Sequence, residues 1–230
     1  QDSTQAISLQ ARRLEGEVLR ELQLVSTEDW AYPTGQPPLR LHHPPPKRGS
    51  ISSQVVVSGP DSSWEAIHRV HVAAIHSAQR RVWLVTPYFV PGEAARMALT
   101  SAALGGLDVR LLVPKVCDSR LVTLAARSYF DELLEAGVKV HEYGPRMLHS
   151  KALLCDDDLA IVGSANFDHR SFRLNFEVSV LFRDKALATE LESLIQGECN
   201  LAPRVRADRA QPLWSTRLPE GLARLVSPLL

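Results

Sequence analysis

The sequence predicts a layered α/β fold built on a mixed β-sheet. Short apolar runs, typical of buried strands, alternate with amphipathic segments long enough for helices of three to four turns. Several apolar runs in the second half of the chain follow one another too closely for a helix to fit between them, so part of the sheet is expected to be antiparallel. The chain has 230 residues, 45% of them hydrophobic and 23% charged, which suffices for one domain with a sizeable core.

The predicted elements follow from local patterns, in chain order. Apolar residues at helical spacing predict a first helix over residues 6–24, and six prolines between residues 33 and 46 then exclude both helix and strand. The residues from Ser62 to Glu65 form a capping-box pattern that is expected to open a helix reaching about Gln79. The other predicted helices cover residues 93–103, 121–136 and 186–196. The predicted strands cover residues 54–58, 82–85, 109–113, 138–141, 151–155, 160–162 and 176–182.

Composition divides the chain into four parts. We expect a helical segment over residues 1–30, a proline-rich linker over 31–53, the α/β domain over 54–199 and a basic, apolar tail over 200–230. The tail carries five arginines against two acidic residues, a net charge of +3, together with one tryptophan and many leucines. This composition is typical of a segment that lies at a membrane interface, and equally of a C-terminal helix packed on its own domain.

Charge and cysteine usage exclude some classes of function. Lys plus Arg and Asp plus Glu both number 26, so the formal charge is zero and no long-range attraction to nucleic acid is expected. The three cysteines are widely spaced with no Cys-x-x-Cys pair, which fits a reducing compartment. His68 and His71 lie three residues apart on a predicted helix, but no third residue has the spacing of a metal site.

One motif carries the chemistry. His149, Lys151 and Asp156 form a His-x-Lys-x-x-x-x-Asp pattern, which is expected by chance only about 0.01 times in a chain of this composition. On a strand, His149 and Lys151 would project from the same face. An imidazole beside an ammonium group suits attack on phosphorus, because the cation stabilises the phosphoryl oxygens. Asp156 lies too far along the strand to contact His149, so we expect it to brace a turn.

Two polar segments follow this motif. Gly163-Ser164-Ala165-Asn166 comes directly after an apolar run and offers a hydroxyl, an amide and backbone N–H groups to an anion. The next segment carries Arg170, Arg173 and Glu177. The arginines are expected either to recognise a lipid phosphate or to support the loop, and Glu177 either to act in the site or to form a salt bridge with one of them.

These segments together resemble a known family. His149, Lys151 and Asp156, followed by the Gly163–Asn166 loop and Glu177, are similar to the signature of the phospholipase D superfamily. Further segments resemble the bacterial cardiolipin synthases within it, over residues 86–91, 127–134 and 170–177. The resemblance extends from about residue 55 to residue 184.

The resemblance implies a phospholipase D-type mixed sheet with helices on both faces, and phosphodiester transfer through a phosphohistidine without a metal or other cofactor. His149 would act as general acid and base, and Lys151, Ser164 and Asn166 would hold phosphoryl oxygens. Glu177 would orient the imidazole of His149. The implied reaction joins two phosphatidylglycerol molecules into cardiolipin and releases glycerol, on the cytoplasmic side of the bacterial inner membrane.

Members of this family carry two such motifs, whereas this chain has one and starts at Gln1 rather than Met. We therefore expect the C-terminal half of a two-motif enzyme, whose partner is its own N-terminal half or a second copy. One alternative is a homodimeric phosphodiesterase, either phospholipase or nuclease. Another is a lipid-binding half without catalysis. Residues from Tyr88 to Pro91 are candidates for the mouth of the substrate site.

Overall fold

The computed structural model describes residues 14–35, 49–62, 64–145, 147–209 and 212–227. Its centre is a seven-stranded sheet in the order β1-β9-β7-β6-β2-β4-β5, and β3 pairs with β8 in a separate two-stranded sheet. The strands are β1 (Ser52–Ser58), β2 (Arg81–Val85), β3 (Phe89–Val90), β4 (Asp108–Pro114), β5 (Lys139–Tyr143), β6 (Ala152–Cys155), β7 (Leu159–Gly163), β8 (Phe167–Asp168) and β9 (Glu177–Arg183).

The large sheet is mixed, as the sequence predicts. Strands β2, β4 and β5 run parallel, whereas β6, β7, β9 and β1 pair antiparallel in succession from the other side of β2. In the centre Leu84 lies between Leu111 and Leu153, and all three are fully or almost fully buried. A strand covered on both faces needs apolar residues at successive positions, which explains the unbroken apolar run of β2.

Helices cover both faces of the sheet. Residues of α2 to α5, such as Ile67, Leu99 and Phe130, form one hydrophobic core with the sheet. On the opposite face α7 packs Leu191 and Ile195 against a second core. The helices are α1 (Val18–Thr34), α2 (Ala66–Ser77), α3 (Glu93–Leu104), α4 (Arg120–Arg127), α5 (Phe130–Glu135), α6 (His169–Arg173), α7 (Lys185–Leu201) and α8 (Leu218–Val226).

The first helix differs from its predicted bounds. Residues 1–13 lie outside the described residues, and α1 begins at Val18 and continues to Thr34, beyond the predicted boundary at residue 30. Pro33 lies in the last turn of α1, where the missing N–H removes one helical hydrogen bond and the next residue is the last of the helix. Gly35 ends the helix with a positive φ of 63° and donates its N–H to Ala31 O at 2.9 Å. Residues 36–48 of the predicted linker also lie outside the described residues.

The capping box predicted at the start of α2 does not form. Glu65 adopts a left-handed backbone conformation with φ 47°, and its side chain does not cap α2. Ser58 Oγ, at the end of β1, instead accepts the N–H of Ile67 in the first turn at 3.0 Å. The Glu65 carboxylate contacts His68 Nδ1 at 3.0 Å and accepts a hydrogen bond from Arg173 Nε at 2.7 Å. Arg173 is more than 100 residues away in the sequence, so this competing partner exists only in the folded protein.

The single helix predicted over residues 121–136 is two helices. α4 ends at Arg127 and α5 begins at Phe130. Ser128 Oγ donates to Ala125 O at 2.6 Å, which is the local side-chain bond that bends or interrupts helices. The next residue, Tyr129, shares a 2.8 Å hydrogen bond with Ser227 Oγ in the tail. The interruption therefore provides the docking point for the C-terminal segment.

The described part of the tail packs on the domain. A π-helical turn (Leu213–Arg217) leads into α8, which contacts α4. Ala223 is buried there, and the guanidinium of Arg224 lies 4.6 Å from the centre of the Tyr129 ring. The outward residues, including Trp214 and Leu225, are exposed. Within the residues that the structure describes, none of the helices has the length and apolar character needed to cross a membrane.

Candidate active site

Polar residues of the predicted site gather at one edge of the large sheet. Parallel strands β2 and β4 end at this edge, β6 and β9 begin there, and β7 ends there. His149 and Lys151 lie just before β6, Ser164 and Asn166 follow β7, and Glu177 opens β9. Loops at the carboxyl ends of parallel strands commonly form ligand sites.

His149 lies outside the strand on which it was expected. β6 begins at Ala152, so the alternation of a strand does not determine the direction of the imidazole, which is exposed. Lys151 is buried, with 8% of its surface exposed, and its ammonium donates to His149 O at 2.8 Å. Gly163 N donates to Lys151 O at 3.3 Å, which extends the β6–β7 pairing by one residue.

Burial lowers the pKa of both Lys151 and His149. Desolvation lowers the pKa of Lys151 to about 8, although the negative charges of Glu177 and Asp168 oppose the shift. The pKa of His149 is also lowered, by desolvation first and by the Lys151 cation second, against the opposing charge of Asp118. At neutral pH the imidazole is therefore mainly neutral, as a proton acceptor requires, while the ammonium is mainly charged.

Glu177 is held by its neighbours in the loops. Ser164 Oγ donates to Glu177 Oε2, and Asn175 Nδ2 donates to Glu177 Oε1 at 3.2 Å. Ser164 Oγ also accepts the N–H of Val178 at 3.0 Å. Gly163 allows this contact, because a Cβ atom at its position would overlap Val178 O and Ser179 Oγ.

Asp156 lies at the opposite end of β6. Its carboxylate accepts backbone N–H groups from Gln79 at 3.0 Å, Arg80 at 2.8 Å and Arg81 at 3.2 Å. These residues connect α2 to β2, and Asp156 itself has a φ of 53°. The motif therefore spans the sheet, with His149 at one edge and Asp156 bracing a turn at the other.

The two arginines lie against different cavities. Arg170 lines a cavity of about 400 Å³ together with Tyr88, Asp118 and Asn166. Arg173 instead pairs with Glu65 and lines a second cavity of about 380 Å³. The alternative pairing of Arg173 with Glu177 is therefore wrong.

Sequence reasoning missed Asp118, which follows β4 at the same edge. Tyr88 Oη donates to Asp118 Oδ1 at 2.7 Å, and this contact raises the pKa of Tyr88 to about 12. Asp168, for which the sequence favours a local turn role near the site, is buried, its pKa is raised by desolvation, and it caps α6 by accepting Ser171 N at 2.7 Å. The usable signal for Asp118 was an acidic residue in the loop that follows a buried parallel strand, four positions after the strand ends.

Histidines away from this edge have structural contacts. His71 is buried and its Nδ1 lies 2.8 Å from Ile67 O. The ring of His68 stacks on the ring of Phe172, with 4.7 Å between the ring centres. Among the described residues no group of three or more His, Cys, Asp or Glu side chains has the arrangement of a metal site.

Comparisons with known proteins show the family to which this chain is related. A family model described as "Cardiolipin synthase, PLD-like domain" matches residues 72–198. A cardiolipin synthase of Geobacillus sp. (strain WCH70) is 44% identical over 226 residues, which cover 94% of this chain and 44% of the relative. The chain thus spans less than half of the length of the curated relatives that it matches.

Two solved structures share the fold. A phosphatidylserine synthase of Haemophilus influenzae Rd KW20 is 17% identical with a TM-score of 0.63, covering 80% of this chain and 49% of that chain. Nuc of Salmonella typhimurium, a phospholipase D family member, is 21% identical with a TM-score of 0.59, covering 68% of this chain and 99% of that chain. The family match covers more than half of the sequence, so this chain belongs to the cardiolipin synthase family of phospholipase D-like domains.

Proposed function

We propose that this chain supplies one half of the active site of a phosphatidyltransferase that forms cardiolipin from two phosphatidylglycerol molecules. The observation that carries the proposal is the meeting of His149, Lys151, Ser164 and Glu177 at one sheet edge, beside the cavity that Arg170 lines. The curated relatives named cardiolipin synthases support the substrate class. Both lipids would reach the site from the cytoplasmic surface of the bacterial inner membrane, where the protein would bind peripherally.

The proposed reaction has two steps. A histidine of the other half attacks the phosphorus of the first phosphatidylglycerol and an N–P bond forms. The bond to glycerol breaks as His149, which enters this step in its protonated minority form, gives its proton to the leaving oxygen. A hydroxyl of the second phosphatidylglycerol then attacks phosphorus while His149 takes its proton. The N–P bond breaks, its electron pair returns to the other histidine, and cardiolipin leaves.

The neighbours of His149 stabilise the charges of these steps. We assign Lys151, Asn166 and Arg170 to the phosphoryl oxygens, where fixed donors act most strongly in a partly dry site. Ser164 donates its one hydroxyl proton to Glu177, so it joins this set by exchanging that bond for one to the phosphate. Glu177 would hold the ring nitrogen of His149 that faces away from phosphorus. Arg173, which pairs with Glu65, is left out of this set.

The test measures products from phosphatidylglycerol vesicles. The complete gene product that contains this chain should form one glycerol for each cardiolipin, with both quantified by mass spectrometry. Phosphatidic acid with glycerol and no cardiolipin would identify a hydrolase instead. Vesicle binding without release of glycerol would identify a lipid-binding protein without catalysis.

A second copy is the other possible source of the second histidine. Nuc is matched over 99% of its length by 68% of this chain. A protein of this fold therefore exists whose whole chain corresponds to a single half of the proposed two-half enzyme. Light scattering of the complete gene product decides between the sources. An active monomer at micromolar concentration excludes a site composed of two copies.

The pH dependence of the reaction tests Lys151. Because its pKa is lowered to about 8, the ammonium is lost as the pH rises through this value, and kcat/KM should fall above pH 8 more steeply than deprotonation of His149 alone produces. In the Lys151→Arg variant the cation persists, so the rate should be lower and only the shallower decline due to His149 should remain. Lys185→Arg, at an exposed position of α7, is the control and should keep the decline. An unchanged decline in Lys151→Arg would contradict the assignment.

A further inference from the structure

The cavity beside the candidate active site is lined by groups of opposite chemistry. Asn166 and Arg170 line it together with the buried Asp168, and the buried Asn166 Oδ1 has no hydrogen-bond partner among the described residues. The hydrogen-bonded pair of Asp118 and Tyr88 also lines it. At about 400 Å³ the cavity can hold a small polar group together with the phosphate to which it is attached.

Asp118 is fixed on one side and available on the other. Its Oδ1 accepts the phenol of Tyr88 at 2.7 Å and its neighbour Ser119 N at 2.8 Å. Within the described ranges no hydrogen bond or ion pair reaches its Oδ2, and the side chain is exposed. Two donors on one oxygen hold the carboxylate in place, so the second oxygen is a pre-positioned acceptor.

The charge of Asp118 determines which part of a ligand lies next to it. A carboxylate repels a phosphodiester anion and strongly accepts hydrogen bonds from hydroxyl groups. The anion therefore belongs with Lys151 and Arg170, and a hydroxylated group attached to it belongs with Asp118. The cavity lies at the sheet edge where His149 lies, since Asn166 and Asp118 follow strands that end there, and the Asp118 carboxylate opposes the lowering of the His149 pKa.

We propose that Asp118, positioned by Tyr88, binds the hydroxyl groups of the glycerol headgroup and selects a polyol over a simple alcohol. This inference rests on the proposed function and adds the residue that would recognise the headgroup. Tyr88 is a positioning residue in this scheme, because its phenol holds Asp118 rather than the substrate.

One subsite suffices for both steps of the reaction. The first step releases glycerol, whose oxygen receives a proton from His149. The second step uses a glycerol hydroxyl of the next lipid, whose proton returns to His149 as the new O–P bond forms and the N–P bond breaks. The leaving group and the acceptor are the same chemical group at the same general acid and base, so Asp118 would bind each in turn.

The experiment compares two acceptors in one reaction. The complete gene product is incubated with phosphatidylglycerol vesicles, ¹³C-glycerol and 1-propanol, and mass spectrometry quantifies labelled phosphatidylglycerol and phosphatidylpropanol. The wild type should favour glycerol. In Asp118→Asn the product ratio should shift towards propanol by about 10- to 100-fold, because the charged acceptor is lost. Tyr88→Phe should shift it by a smaller factor, and Asp118→Glu should restore part of the preference.

The ratio separates recognition from other roles of Asp118. It does not depend on the amount of folded enzyme, and a changed pKa of His149 affects both acceptors equally. Glu135→Gln, an exposed carboxylate on α5, should leave the ratio unchanged. An equal loss of both products, or an unchanged ratio in Asp118→Asn, would overturn the inference while the proposed function stands. A wild type that forms neither product and no cardiolipin would overturn both.

Discussion

Replacing His149 with asparagine is expected to lower the rate of cardiolipin formation by about 10²- to 10⁴-fold. Asparagine keeps a polar side chain of similar size, but it neither takes a proton near neutral pH nor returns one. The imidazole is exposed at the sheet edge, so its removal creates no cavity in the core. The loss should therefore appear in the rate, measured as cardiolipin formed from phosphatidylglycerol vesicles, with the unfolding temperature nearly unchanged.

His76→Asn is the matched control for this prediction. His76 is exposed in the last turn of α2, near the opposite edge of the sheet, where Asp156 accepts the N–H of Gln79. Its replacement should leave the rate within about twofold, as expected of a surface substitution away from the site. A His149→Asn enzyme with wild-type activity would remove His149 from the chemistry.

Replacing Asp156 with alanine is expected to lower the free energy of unfolding by about 3 kcal/mol. Three backbone N–H groups lose a charged acceptor, and bonds to charged groups contribute about 1.5–3 kcal/mol each without adding fully. Alanine also tolerates the φ of 53° poorly. Asp156→Asn should lose less, because asparagine accepts hydrogen bonds and adopts this conformation more readily. Urea unfolding of the complete gene product measures both variants.

The neighbouring residue Asp157 supplies the control. It forms ion pairs with Arg80 and Arg81 near the surface, so Asp157→Asn should cost less than about 1 kcal/mol. The rate per folded molecule should stay within about threefold of wild type in Asp156→Ala, since the carboxylate lies at the edge opposite His149. A large loss of rate with little loss of stability would instead make Asp156 part of the catalytic chemistry.

Much of the fold was accessible from local patterns. The seven strands of the large sheet were found because a buried strand needs consecutive or alternating apolar residues, as at Leu84 and Leu111. The two-residue strands β3 and β8 were not predicted, because they are too short to show a pattern. Helices α3 and α7 were placed within a few residues for the corresponding reason, since one face of each covers the sheet. The missing cap at Glu65 was not predicted, because a distant partner, Arg173, holds its carboxylate. The interruption at Ser128 was not predicted either, because the continuous helical pattern outweighed its local signal, the bond from Ser128 Oγ to Ala125 O.

By itself the sequence determined the chemical identity of the site. His149 and Lys151 at their spacing, with a small polar loop around Ser164, indicate phosphoryl chemistry because their residue types and order carry that information. Tertiary structure alone decided which other groups join them. Asp118 and Tyr88 belong to loops 30 residues apart that meet because parallel strands end at one sheet edge. Burial, which lowers the pKa of Lys151, likewise arises only when the sheet and its helices exclude water.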